Sequence, residues 1–240
     1  MMATQYSSDQ AAPRRYNDQR EKLTEYFDST ARKAWIDLTS DAKVSGIRAT
    51  VRAGRDAMRE QLLGWLPEDL RRNNLLDAGC GTGSLSVEAA RRGAVVTAID
   101  VAQGLVDIAR ERAPSFLGHG RIDWRTGDML DPALGTFDHV VAMDSLIHYT
   151  LPDMVWALAA LTQRCTGSIV FTFAPYTPLL GAMNNVGKFF PRSDRSPAIV
   201  PIAEDALRAE LAGFDGWEVR RSGRISSGFY KSHGMELVKR

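Results

Sequence analysis

Apolar positions along this chain recur with two different periods, and the change from one to the other marks its organisation. Residues 1–20 are polar and nearly free of large aliphatic side chains, so they predict a flexible tail that buries too little surface to offset its own ordering. Structure is expected from Glu21, where two helical patterns follow. In the second, Val44, Ile47, Val51, Gly54, Met58 and Leu62 return every three or four residues and predict one core-facing stripe. Arg48, Arg52, Arg55 and Arg59 share a neighbouring face, which reads as solvated rather than as an anion site. Pro67 closes this helical section.

Between residues 75 and 175 the apolar runs shorten to LLDAG, AVVTAID, RIDWRTGD, HVVAMDSL and SIVFTFAP, separated by helical segments near 84–92, 103–112 and 153–164. Strands alternating with helices imply parallel pairing, because parallel neighbours need long crossovers. The segment 175–200 breaks the rhythm with Pro, Gly and Asn among Leu, Met and Phe, and predicts a lid. A helix near 203–212 and a hairpin built from WEVRR and MELVK complete the chain. The expected division is a tail over 1–20 and one domain over 21–240, made of a helical arm (21–70), an alternating strand and helix half (71–174), the lid (175–200) and a C-terminal helix and hairpin (201–240).

The 240 residues suffice for one well-buried domain and are few for two. Thirty Lys and Arg against 29 Asp and Glu leave a net charge of +1, so no bulk attraction to nucleic acid is built in. Cys80 and Cys165 stand far apart without a Cys/His cluster, which argues against a disulfide scaffold and a metal site and fits a reducing, cytoplasmic setting. The first twenty residues hold no apolar core of a leader peptide, and no apolar run is long enough to span a bilayer.

The densest chemical signal is LLDAGCGTGSLSVEAA, which sets Asp77, Gly79, Gly81 and Gly83 between an apolar strand and a helix. Glycines there permit a tight turn and a close ligand approach. A dinucleotide fingerprint needs a third glycine at the G-x-G-x-x-G position, where the two registers place Ser84 or Ser86, so a nicotinamide cofactor is disfavoured. An acidic residue followed by G-x-G-x-G resembles the class I S-adenosylmethionine-dependent methyltransferases. Asp100 ends the second strand, 17 residues beyond Gly83, where a carboxylate can accept from both ribose hydroxyls. Asp128 ends the third, where it can accept from the adenine amino group with Met129 near the ring, and Asp77 remains for the methionine ammonium. With Val101 and Met143 these residues are the expected cofactor contacts, which makes 71–174 the cofactor-binding half.

The place of the N/D-P-P-Y/F motif of base-amino methylation holds MDSLIHY, and Asp144 lacks an obvious set of partners for a catechol-type metal ion. The flanks, EYFDSTARKAWIDLTSDAKVSGIRATVRAGRDAMREQLLGWL before the loop and SGFYKS near the end, together with MDSLIHY, resemble the magnesium protoporphyrin IX O-methyltransferase family over about residues 21–240. The most specific pieces are Tyr26-Phe27 with Trp35 behind it, Ile47-Arg48 and Phe229-Tyr230.

The resemblance implies a three-layer α/β Rossmann-like fold, strand order 3-2-1-4-5-7-6, with the helical arm and the lid as a cap. It implies methyl transfer from S-adenosylmethionine to one propionate of magnesium protoporphyrin IX, with the magnesium chelatase that supplies this substrate as a partner. It makes His148, after the fourth strand, and Tyr26, in the arm, the catalytic candidates. Phe189, Phe229 and Tyr230 are expected at the substrate, with Arg192 or Arg195 on the non-reacting propionate. A monomer is expected, attached weakly to membranes through Leu179, Leu180, Met183, Phe189 and Phe190. Transfer to another small carboxylate or phenol, and cofactor binding without transfer, are the alternative readings.

Overall fold

The computed structural model describes residues 13–30, 46–176 and 198–240. Helix α1 (Arg14–Glu25) runs into a single π-type turn, Tyr26–Thr30, and helix α2 spans Gly46–Trp65. Then come β1 (Asn74–Ala78), α3 (Ser84–Arg91), β2 (Val95–Asp100), α4 (Gln103–Arg112), β3 (Arg121–Thr126), β4 (Phe137–Ala142), α5 (Leu151–Thr162), β5 (Cys165–Phe173), α6 (Glu204–Leu211), β6 (Trp217–Ser227) and β7 (Tyr230–Lys239). They form one seven-stranded sheet in the order β3-β2-β1-β4-β5-β7-β6, the expected order. Strands β1 to β5 pair in parallel, and β7 runs antiparallel between β5 and β6.

The burial pattern follows from that order. The central β1 and β5 are buried almost along their length, as strands covered on both faces must be, whereas β6 at the edge alternates buried and exposed positions. Two apolar cores lie on the two faces. On one, α1, α5 and α6 contribute Tyr16, Leu23, Met154, Leu158, Leu207 and Leu211. On the other, α2 and α3 contribute Met58, Leu62, Leu63, Leu85 and Ala89.

Three expectations change. Helical structure begins at Arg14, seven residues before Glu21, because Tyr16 and Leu23 (1% and 5% exposed) anchor the helix two turns apart. Two anchors among polar neighbours are too few to mark out an apolar stripe, so the sequence reads as a tail. The apolar stripe of α2 is buried only from Gly54 through Met58 to Leu62, and Ile47 is 59% exposed. The hairpin is longer and tighter than expected: β6 and β7 pair from Trp217↔Lys239 to Ser227↔Tyr230, turning at Gly228, with φ of +54°, and Phe229. Its polar, glycine-rich middle hides the strands, yet those glycines seat α2. A Cβ on Gly234 would lie 2.9 Å from the Leu62 side chain, and one on Gly223 would lie 2.8 Å from Gln61.

The helices expected near 84–92, 103–112, 153–164 and 203–212 appear within two residues of those bounds. Trp35 and the lid residues Leu179, Leu180, Met183, Phe189, Phe190, Arg192 and Arg195 lie outside the described residues. Among the described residues no helix is long and apolar enough to cross a membrane, and no group of three or more His, Cys, Asp or Glu side chains could hold a metal ion.

Candidate active site

At the carboxyl ends of β1 to β4 lies a cavity of about 310 Å³. Ligands of open parallel sheets bind at this end, where the strand order reverses between β1 and β4. The turn from β1 into α3 forms its floor. Gly79 and Gly81 have φ of +90° and +53°, a region that L side chains avoid, and a Cβ on Gly79 would lie 2.3 Å from the Cβ of Ser145. Gly83, with φ of +80°, caps α3 and lies against the Trp124 ring, where a Cβ would come within 2.4 Å; it supports the loop without lining the cavity.

The carboxylates brace this loop as well as facing the cavity. Asp100 accepts from the Gly81 N–H at 2.8 Å through one oxygen and from the Ala102 N–H at 2.9 Å through the other. Burial raises its pKa. Asp77, 1% exposed, accepts from the Ser86 hydroxyl at 2.5 Å, and burial pushes its pKa up to about 7. Burial also pushes the Cys80 thiol up, which makes it a poor nucleophile.

Asp128 departs from its expected solitude. It accepts from the Tyr16 hydroxyl at 3.0 Å, from the Leu130 N–H at 2.9 Å and from the Arg20 guanidinium. Tyr16 also stacks on Tyr149, with ring centroids 4.9 Å apart, so α1 is pinned over the third strand end by residues that read as part of a tail in the sequence. Val101, Met129 and Met143 line the cavity, the two methionines almost fully buried.

The opposite wall comes from α2. Arg52, Arg55 and Arg59 line the cavity with Asp56, so the face read as solvated turns inward. Tertiary packing decides this: the Tyr230 ring fills the space beside Gly54, where a Cβ would meet it at 2.5 Å, and that contact sets the rotation of the helix. Arg55 donates to Asp144 at 2.7 Å, and the Tyr230 hydroxyl donates to the same carboxylate at 3.0 Å. Asp144 has φ of +56°, and Thr172 holds it by accepting from its N–H at 2.7 Å. A non-glycine residue in that conformation is a strained position that the surroundings enforce. Tyr230 therefore stands behind Asp144 rather than on the cavity wall, and Phe229 is 61% exposed at the hairpin turn.

His148 ends a short 3₁₀ turn (Leu146–His148) on the cavity wall, its Nδ1 3.3 Å from the Ala198 carbonyl and its ring 6.1 Å from that of Phe27. Phe27 lines the cavity, whereas Tyr26 packs edge-on against it at 5.2 Å and does not. Asp28 fixes this turn by accepting from the Gly104 N–H at the start of α4.

Residues 142–239, which hold Asp144, His148 and Tyr230, match the family described as "Magnesium-protoporphyrin IX methyltransferase C-terminus", and residues 75–166 match a general methyltransferase domain. The chain is 48% identical to a magnesium-protoporphyrin O-methyltransferase of Rhodobacter capsulatus over 225 residues, covering 93% of this chain and 98% of that one. The chain belongs to the magnesium-protoporphyrin O-methyltransferase family. A Synechocystis member is 30% identical, over 92% of this chain and 97% of its own. The crystal structure of magnesium protoporphyrin IX methyltransferase from Synechocystis with bound SAH superposes with a TM-score of 0.81 at 28% identity, covering 92% of this chain and all of that one.

Proposed function

We propose that this chain transfers a methyl group from S-adenosylmethionine to a propionate carboxylate of magnesium protoporphyrin IX, giving the monomethyl ester. The observation that carries the reading is the glycine floor with Asp77, Asp100 and Asp128 at successive strand ends, in a chain of this family. Bound there, S-adenosylmethionine supplies a sulfonium methyl and leaves as the neutral thioether. The residues present fit it. Open backbone at Gly79 and Gly81 admits close approach, and a carboxylate that already accepts two N–H bonds at Asp100 keeps lone pairs for two ribose hydroxyls.

A propionic carboxyl has an ordinary pKa of about 4.3, so it is an anion at neutral pH and needs no general base. One carboxylate oxygen forms the new bond to the methyl carbon, the carbon–sulfur bond breaks with its electron pair going to sulfur, and no proton moves. The chain's task is alignment in a cavity poor in water, with the reacting atoms about 3 to 3.5 Å apart. His148 is placed to donate to the reacting carboxylate or to meet the porphyrin's magnesium. Phe27 and Tyr26 cover the site from the arm. Met129 and Met143 supply apolar contact, and Asp128 reaches the adenine end while tying down α1. On this reading the chain is one domain and a monomer. It draws its porphyrin from the magnesium chelatase and touches membranes only at their surface, in keeping with a net charge of +1.

The test is incubation with methyl-labelled S-adenosylmethionine and magnesium protoporphyrin IX, followed by chromatography of the porphyrins. Label in a porphyrin monomethyl ester is expected. Cofactor binding with label in no porphyrin, or label only in other small carboxylates or phenols, overturns the reading.

A further inference from the structure

The cavity has two walls of opposite charge. The strand ends present Asp77, Asp100 and Asp128, whereas α2 presents Arg52, Arg55 and Arg59 against the carboxylates of Asp56 and Asp144. On a helix, offsets of three and four residues lie on one face, so these arginines form a single row beside the stripe that packs on the hairpin. The side chains of Arg55 and Arg59 are only 20% and 24% exposed. Arg59 pairs with Asp56 at 2.9 Å, and Arg55 with Asp144 at 2.7 Å. Asp144 is in turn clamped by Tyr230 and Thr172. The row is therefore built rather than loose, and its arginines outnumber the carboxylates that share its wall. Partly desolvated cations cost free energy that an anionic ligand would recover.

We propose that the row Arg52, Arg55 and Arg59 is a carboxylate-binding site of the cavity. A guanidinium presents a planar fork that matches a carboxylate bidentately, which selects this chemistry over a neutral oxygen ligand. The inference rests on the function proposed above, under which two carboxylates enter the cavity and persist through the reaction: the non-reacting propionate of the porphyrin and the carboxylate of the cofactor's methionine part. The row holds Arg55 rigidly through Asp144, so Arg52 and Arg59 flank a fixed centre. It also gives the non-reacting propionate a partner within the described residues, a role the sequence had suggested for Arg192 or Arg195.

The experiment compares wild type with Arg52→Gln, Arg59→Gln and the double variant, each checked for an unchanged melting temperature. Binding is measured for two ligand pairs. One pair is S-adenosylmethionine and its decarboxylated form. The other is magnesium protoporphyrin IX and its analogue with the non-reacting propionate already esterified. The double variant should lose about tenfold or more in affinity for the carboxylate-bearing member of one pair, the scale of a charge-assisted hydrogen bond. Its carboxylate-free partner should stay within about twofold of wild type, and the pair that responds identifies the source. Equal losses for both members of both pairs, or no loss in either, overturn the site. If wild type does not methylate the porphyrin but the cofactor pair responds, the function reading fails and the carboxylate site stands.

Discussion

The acidic and basic walls of the cavity are built in opposite ways. Asp77, the glycines and Asp100 fall within 24 residues of one another, and each sits where a strand gives way to a loop. The basic wall joins Arg55 of α2, Asp144 after β4 and Tyr230 at the start of β7, with 89 residues between the first two and 86 between the last two. The first wall is a local property of strand–turn–helix units and survives in any chain that closes the same sheet. The second exists only when α2 is seated on the hairpin at one rotation, so it can vary while the sheet and the cofactor loop stay as they are. A common cofactor and a particular acceptor are separable for that reason.

The largest effect expected concerns the acidic wall alone. Asp77 titrates near pH 7 in the folded chain against an ordinary value of 3.8, because burial penalises its charge. Unfolding lets it ionise, so between about pH 4 and pH 7 the unfolded chain holds fewer protons and stability falls as pH rises. Asp77→Asn lacks this titration. Relative to wild type, its unfolding free energy should climb by about 2 to 3 kcal/mol between pH 5 and pH 8. Urea titrations of both proteins at the two pH values measure the difference, and parallel behaviour would show that Asp77 is ionised at all of them.

A comparable or smaller effect separates the walls directly. Asp100→Ala removes the acceptor for the Gly81 and Ala102 N–H groups and for the ribose hydroxyls. S-adenosylmethionine binding should weaken by about 1.5 to 3 kcal/mol, the range for a buried partner left unpaired. Calorimetric titration decides it. Unchanged cofactor affinity would mean that the glycine loop holds the ligand without its tether.

The smallest effect tests the basic wall. Tyr230→Phe keeps the ring beside Gly54 and deletes the hydroxyl on Asp144. Stability should fall by about 1 kcal/mol, with cofactor affinity unchanged and the KM for the porphyrin raised more than kcat is lowered. An equal fall in cofactor affinity would show that the two walls are not separable.

Much of this molecule could be read without coordinates. The β1 glycine loop, the strand-end aspartates and the order of the seven strands are legible because each depends on local rules: apolar runs of strand length, glycines where φ is positive, and parallel strands that need helices between them. Four features were settled only in three dimensions. Tyr16 and Arg20 stood in a polar stretch whose helix is stable because it lands on Asp128 and Tyr149. The hairpin was concealed by small residues that make room for α2. Asp144 carried no sign of its strained backbone or its three partners. The arginine row was visible as a helical face, but helical periodicity specifies only which residues share a face. Whether that face meets water or a cavity depends on how the helix is rotated, and at α2 that rotation follows from the fit of Tyr230 against Gly54.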